Sequence, residues 1–369
     1  MGKNIERPLI VISAVNFVEG GPLSIMKDAV RGFLDNLVND YSLVLLVHNK
    51  NIFEEFKNFP IKFLEFKYPK KSWLLRVWFE YVHCYFISKK INPFLWISLH
   101  DMTPNVTCKN KVVYCHNPAP FYKLSLHEAK LEKSLMFFNF LYVLFYRINI
   151  HSNKYIIVQQ QWLRDEFERR FKVKNVIVAY PDINVPQIMK TNNNGNIKFQ
   201  FFFPAFPRVF KNFEVLLAAD ELLYQSKKKF EVLITIDGTE NKYASSLLKK
   251  YKDIPCIKFI GLQSRESIWE LYNQSSCLIF PSKLETWGLP VTEMQFYDKP
   301  ILLANCRYAY ETAGNYKKVC FFNPNDPVTL SNLMEKALDH SLVFDKPVLI
   351  TPSQPFTKNW KELYSLILS

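Results

Sequence analysis

Residues 277–293 read Cys277-Leu278-Ile279-Phe280-Pro281-Ser282-Lys283-Leu284-Glu285-Thr286-Trp287-Gly288-Leu289-Pro290-Val291-Thr292-Glu293. An unbroken apolar run closed by a proline reads as a strand buried on both faces. Pro290 suits the first turn of a helix, where the amide it lacks would have had no partner. Strand, loop and helix in this order make one step of a parallel α/β sheet. The same step recurs in both directions along the chain. Further strands are expected at 199–203, 230–236, 256–260, 301–303 and 319–322, and in the first half at 8–14, 42–48, 61–66, 94–99, 111–115, 154–159 and 176–179. Helical periodicity lies between most of them, notably over 23–38, 73–89, 126–151 and 161–171. Thirteen strands are too many for one sheet. The polar stretch Thr191-Asn192-Asn193-Asn194-Gly195-Asn196 is the natural break. Two doubly wound, Rossmann-like domains follow, 1–190 and 191–354, with a last helix near 355–369. Such sheets bind ligands at the carboxyl ends of their strands, so the expected site is a cleft between facing domains.

Composition narrows the function. Of 369 residues, 49% are hydrophobic and 22% charged, enough to build sizeable cores. The net charge is +13, and residues 1–180 hold 25 Lys and Arg against 15 Asp and Glu. A basic, aromatic-rich first half predicts an anionic membrane surface as partner and, with no nucleic-acid fold signature, no nucleic acid. The 7 cysteines show no CxxC spacing, which predicts reduced thiols and neither a disulfide framework nor a zinc site. The apolar stretch 9–15 reads as a first strand, not a signal peptide, and the run 135–146 is shorter than the ~20 residues needed to span a bilayer. There is no Asp-x-Asp, Walker loop, GxGxxG or Ser-His-Asp elbow, so no metal or cofactor is expected.

Four clusters carry candidate chemistry. Glu285 and Glu293 flank a helix N-terminus whose amides at Trp287, Gly288 and Leu289 can bind oxyanions and hydroxyls. Two carboxylates around such a nest suit a ligand both polyhydroxylated and phosphorylated. Arg208 and Lys211 lie three apart after the strand 199–203, placed to hold a diphosphate and neutralise charge that builds on it. Gly20 and Gly21 follow the first strand in a chain with only 9 glycines, implying a close backbone approach. His116 and Gln159 each end a buried strand at its carboxyl side.

Glu285-x7-Glu293, preceded by Pro281-Ser282 and enclosing Trp287-Gly288-Leu289-Pro290, resembles the retaining glycosyltransferases of family 4, which have the GT-B fold. Phe259-Ile260-Gly261 before this stretch and Asp298-Lys299-Pro300-Ile301 after it stand in the family's usual order. The resemblance is specific over 199–304 and looser in the first domain, and Pro204-Ala205-Phe206-Pro207 replaces the family's glycine-rich wording. It implies that Glu293 holds the nucleotide ribose and Glu285 the donor sugar, with Arg208 and Lys211 on the leaving diphosphate. His116 would touch the donor sugar, with Gly20, Gly21, Gly261 and Gln159 completing substrate binding. The acceptor hydroxyl would attack the face the diphosphate leaves, with no protein nucleophile and no metal. The implied acceptor is a lipid-linked saccharide of bacterial surface-polysaccharide assembly, met at the inner face of the cytoplasmic membrane by a cytoplasmic, peripheral enzyme. In this fold the last helix often packs back on the first domain. A GT-B sugar-nucleotide epimerase and a non-catalytic basic membrane adaptor remain as alternatives.

Overall fold

A computed structural model describes residues 7–18, 20–182 and 198–369. The expected linker 191–196 and the boundary at 190/191 lie outside the described residues. The chain divides into two units, one of Met1–Phe121, Asn139–Asp182 and Pro352–Ser369, the other of Tyr122–Phe138 and Ile183–Thr351.

The first unit is built on a parallel sheet. Its strands in chain order are β1 (Leu9–Ser13), β2 (Ser42–Val47), β3 (Ile61–Glu65), β4 (Leu95–Ser98), β5 (Asn110–Tyr114), β6 (Tyr155–Val158) and β7 (Val176–Ala179). A two-residue strand, Phe356–Thr357, pairs with β7 at the edge. From that edge the order is β7, β6, β5, β4, β1, β2, β3. Every strand of the interior is apolar on both faces because helices cover both. Ile10 and Ile12 pack with Met26, Phe33 and Leu45 on one side, and Val11 packs with Phe79, Cys84 and Trp96 on the other. The terminal helix Trp360–Leu368 lies on the helix Gly20–Asn36, and the Tyr364 hydroxyl donates to the Ala29 carbonyl at 2.7 Å. Gly32 makes that approach possible, since a Cβ there would stand 2.5 Å from Cβ of Trp360.

The second unit repeats the plan with β8 (Phe199–Phe203), β9 (Phe230–Ile234), β10 (Ile257–Phe259), β11 (Cys277–Phe280), β12 (Ile301–Ala304) and β13 (Val319–Phe322). Its order is β10, β9, β8, β11, β12, β13, and all pairings are parallel. In both sheets the winding reverses between two central neighbours, β1 and β4 in one, β8 and β11 in the other. Ligands of open α/β sheets bind at such reversals.

Two expected helices are interrupted. A π-helical turn, Phe79–His83, separates Trp73–Trp78 from Cys84–Ile91. The stretch expected as one helix over 126–151 breaks at Glu132, whose φ of −135° and ψ of 70° are not helical, leaving Leu126–Leu131 and Lys133–Arg147. The first of these starts with a capping box, Ser125 and Glu128 each bonding the other's backbone amide. The break aims the Glu132 carboxylate at Arg208 and at the Val209 amide, bonds that a continuous helix would not have offered.

Candidate active site

The loops after β8 and β11 meet at the reversal of the second sheet. Lys283 N–H donates to the Phe210 carbonyl at 2.8 Å, and the Asn212 side chain donates to the carbonyls of Pro281 and Pro324. Asn212 sits in the left-handed region at φ 59°, which asparagine tolerates better than most residues. The Pro204-Ala205-Phe206-Pro207 segment is fixed without glycine. The Ala205 amide donates to Thr235 Oγ1 at 2.9 Å, and Asn241 donates to the Pro207 carbonyl at 2.8 Å. On this frame Lys211 Nζ lies 2.5 Å from Glu285 Oε1, the two side chains only 18% and 13% exposed. Arg208 is paired instead with Glu132 and remains half exposed. Lys211 and Glu285, expected from separate stretches of sequence, thus converge, whereas Arg208 acquires a partner from the segment 122–138.

Glu293 is the most enclosed of the candidates, 1% exposed on the helix Leu289–Phe296. Its Oε1 accepts from Arg265 Nη2 at 2.5 Å and its Oε2 from the Tyr272 hydroxyl at 2.7 Å. Burial and the adjacent carboxylate hold the Tyr272 hydroxyl well above its usual pKa, so it stays a donor. Arg265 lies over the Trp269 ring at 4.8 Å, with its side chain still 48% exposed.

Gly288 caps that helix at φ 88°, a conformation costly for any side chain, and a Cβ there would crowd Phe280 at 3.3 Å. Leu289 follows as the first helical residue. Trp287 is buried, its indole N–H donating to Thr292 Oγ1 at 2.9 Å and its carbonyl accepting from Thr312. The positive end of the helix dipole therefore opens at Gly288 and Leu289, close in sequence to Glu285. Gly261 follows β10 at φ 67°, with Asp237 within 3.0 Å of where its Cβ would be.

The remaining candidates belong to the first unit. Gly20, at φ 71°, opens the helix Gly20–Asn36 with Gly21, and nothing but Pro22 would contact a Cβ on Gly20. Backbone conformation, not crowding by a neighbour, selects that glycine. Gln159 is buried after β6 beside the Tyr114 hydroxyl. His116 leaves β5 stacked on Tyr114 at 4.4 Å and edge-on to Phe17 at 5.4 Å. Neither of its ring nitrogens makes a hydrogen bond of normal geometry. Burial pushes its pKa down to about 3, so the ring is neutral at physiological pH. Among the described residues no group of three or more His, Cys, Asp or Glu side chains is arranged to hold a metal ion.

Residues 186–347, which contain the whole second sheet and its candidates, match the family of glycosyl transferases group 1. Over 260 residues, 68% of this chain and 67% of the other, it is 21% identical to the O-antigen chain mannosyltransferase RfbU of Salmonella typhimurium. The sucrose-phosphate synthase of Thermosynechococcus elongatus superposes with a TM-score of 0.66 at 13% identity, covering 91% of this chain and 90% of that one. HepE of Anabaena, solved with UDP-glucose, superposes with a TM-score of 0.61 at 13% identity, covering 90% of each. The two parallel-sheet α/β domains have the fold of these structures, GT-B.

Sequence reading missed several partners that the domain uses. Glu132, Arg265 and Tyr272 each complete a candidate from 21 to 76 residues away. Only the Ser125–Glu128 capping box announced itself locally, and it fixes the short helix that precedes Glu132.

Proposed function

We propose that this chain is a retaining glycosyltransferase that moves a sugar from a nucleotide-sugar to a saccharide acceptor. The Lys211–Glu285 contact at the reversal of the second sheet, inside the stretch that matches the glycosyl transferases group 1, carries this reading. Lys211 and Arg208 bind the leaving diphosphate, exchanging carboxylate partners for phosphate oxygens, and the amides at Gly288 and Leu289 add the helix dipole. Glu285, released from Lys211, accepts hydrogen bonds from the donor sugar. Glu293 holds the ribose diol once Arg265 swings off it, a motion its half-exposed side chain permits. His116 meets the donor sugar as a neutral donor or acceptor, and Gly20, Gly21, Gln159 and Gly261 line the substrates. Because these cations and amides supply the positive charge, the reaction is metal-independent. The acceptor hydroxyl enters on the face the diphosphate leaves, and its proton goes to the diphosphate, so the anomeric configuration is kept.

The acceptor is a lipid-linked saccharide of bacterial surface-polysaccharide assembly, in line with the O-antigen mannosyltransferase it resembles. Among the described residues no helix is long and apolar enough to cross a membrane. A basic, apolar face suited to an anionic membrane is formed by Trp73, Leu74, Trp78 and Phe86, 45% to 83% exposed, beside Lys70, Lys71, Lys89 and Lys90. The same helices bury Phe79 and Ile87 in the core, so the aromatic residues divide between the two roles.

Incubation with UDP-, GDP- and ADP-sugars and a lipid-linked saccharide tests the reading. The expected result is acceptor-dependent release of one nucleoside diphosphate and a product of unchanged anomeric configuration by NMR. Release from none of them, or donor epimerisation without acceptor, would overturn it.

A further inference from the structure

Asp101 follows β4 at the reversal of the first sheet, 9% exposed, with its backbone in the left-handed region at φ 70°. Its Oδ1 accepts from the consecutive amides of His116 at 2.5 Å and Asn117 at 3.0 Å. Its Oδ2 accepts from the Tyr142 hydroxyl at 2.8 Å. The Tyr146 hydroxyl stands between Oδ1 at 3.1 Å and the Asn117 carbonyl at 2.9 Å, and donates to one of them. Tyr142 and Tyr146 are one turn apart on the helix Lys133–Arg147, so one carboxylate joins that helix to the turn that carries His116.

This arrangement is costly. A non-glycine residue held at positive φ carries backbone strain. Burial also pushes the Asp101 pKa upward, against the pull of four donors. Among the described residues its partners are amides and hydroxyls, not a cation. An apolar side chain here would fill the space but leave those amides and the Tyr142 hydroxyl without an acceptor. What the carboxylate uniquely does is to bind two successive amides with one oxygen and so fix the path of the chain at His116. No hydrogen bond of normal geometry holds the imidazole, which is set by that path and by stacking on Tyr114.

We infer that Asp101 is a positioning residue, whose buried carboxylate sets the 116–117 turn and thereby aims the His116 ring at the donor sugar. The inference rests on the proposed transferase reaction and on the role given there to His116. Asp101 touches no substrate, and its effect passes through the backbone amides.

The test compares Asp101→Ala, Asp101→Asn, His116→Ala and the Asp101→Ala/His116→Ala double variant. Asp101→Ala should lower kcat at least tenfold while leaving nucleoside diphosphate affinity within twofold, because the nucleotide residues lie in the other unit. Asp101→Asn, which keeps an oxygen for both amides, should restore most of the loss. The double variant should be no slower than His116→Ala, since the two act as one unit. Additive losses, or a folded Asp101→Ala with normal kcat, would overturn the inference. If Asp101→Ala does not fold, Tyr142→Phe removes only the Oδ2 bond and should show a smaller loss of the same kind. Imidazole NMR of His116 is independent of activity. Its signals should shift in Asp101→Ala and stay put in Asp101→Asn, and unchanged signals in both would also count against Asp101. Should no nucleotide-sugar be turned over, the transferase reading fails, and the NMR comparison still decides whether Asp101 positions His116.

Discussion

The candidate residues of the two units are held in opposite ways. In the second unit each charged candidate is matched by an opposite charge: Lys211 by Glu285, Arg208 by Glu132, Glu293 by Arg265. In the first unit His116 is kept neutral between aromatic rings, and the buried Asp101 beneath it is bound by amides and hydroxyls. A cation already paired with a carboxylate can exchange it for a phosphate oxygen at little electrostatic cost, which suits a diphosphate. A neutral, stacked imidazole suits hydroxyl groups, whose recognition depends on direction more than on charge. The contrast fits the proposal that the diphosphate contacts lie in one unit, while the other adds a neutral contact, His116, to the donor sugar.

The largest effect that would break this contrast is expected at Lys211. Losing one preorganised charge on a leaving group costs ~10²–10³ in turnover, so Lys211→Ala should fall by that factor in steady-state assays with its fold intact by circular dichroism. Near-normal turnover would move the diphosphate contact elsewhere. Glu293→Gln comes next. Replacing a charged acceptor by a neutral one should weaken nucleoside diphosphate binding by about 1.5–3 kcal/mol in calorimetry. Unchanged affinity would remove the ribose assignment.

The first unit should respond through packing. Gly32→Ala forces Trp360 from its place, and overpacking of this kind costs about 1–3 kcal/mol of stability. Its melting temperature should drop while nucleotide affinity holds; a loss of affinity would blur the division between the units. A sharper test is the protonation of His116. Burial opposes the imidazolium, so its folded pKa, about 3, lies below the unfolded value of about 6.5. The unfolded chain then binds the proton more readily, and this residue's contribution to stability is lost as pH falls from about 6.5 toward 3. Its NMR signals should not titrate between pH 8 and 5; a midpoint near 6.5 would mean the ring is solvated. The smallest effect is at the surface. Lys70→Gln with Lys71→Gln should weaken sedimentation with anionic vesicles by roughly 1 kcal/mol per charge, and equal binding to neutral vesicles would remove the electrostatic part of docking.

Most strands were legible because a short, largely apolar run stands between polar breaks, the mark of burial on both faces; β3, β9 and β10 carry a charged residue within that run. The two-residue strand Phe356–Thr357 is too short to show any period, and it exists only because β7 offers an edge. Lys211 and Glu285 were legible because each lies in the loop that follows a strand, and parallel strands deliver those loops to one place. Their partners were not. Glu132 lies in a segment that reads as helix, and its non-helical backbone follows from bonds to residues 76 and 77 positions later. Arg265 looked like one more cation in a basic chain, and Asp101 stood alone with no motif around it. Both act through contacts that only the folded chain brings together.

Calorimetric titration of UDP and GDP into the wild-type chain, Lys211→Ala, Glu293→Gln and His116→Ala tests the division of labour most directly. The account predicts that one nucleotide binds the wild type, more weakly as salt is raised, that both second-unit variants lose affinity, and that His116→Ala keeps it. Equal affinity across all four proteins, or loss in His116→Ala alone, would contradict it.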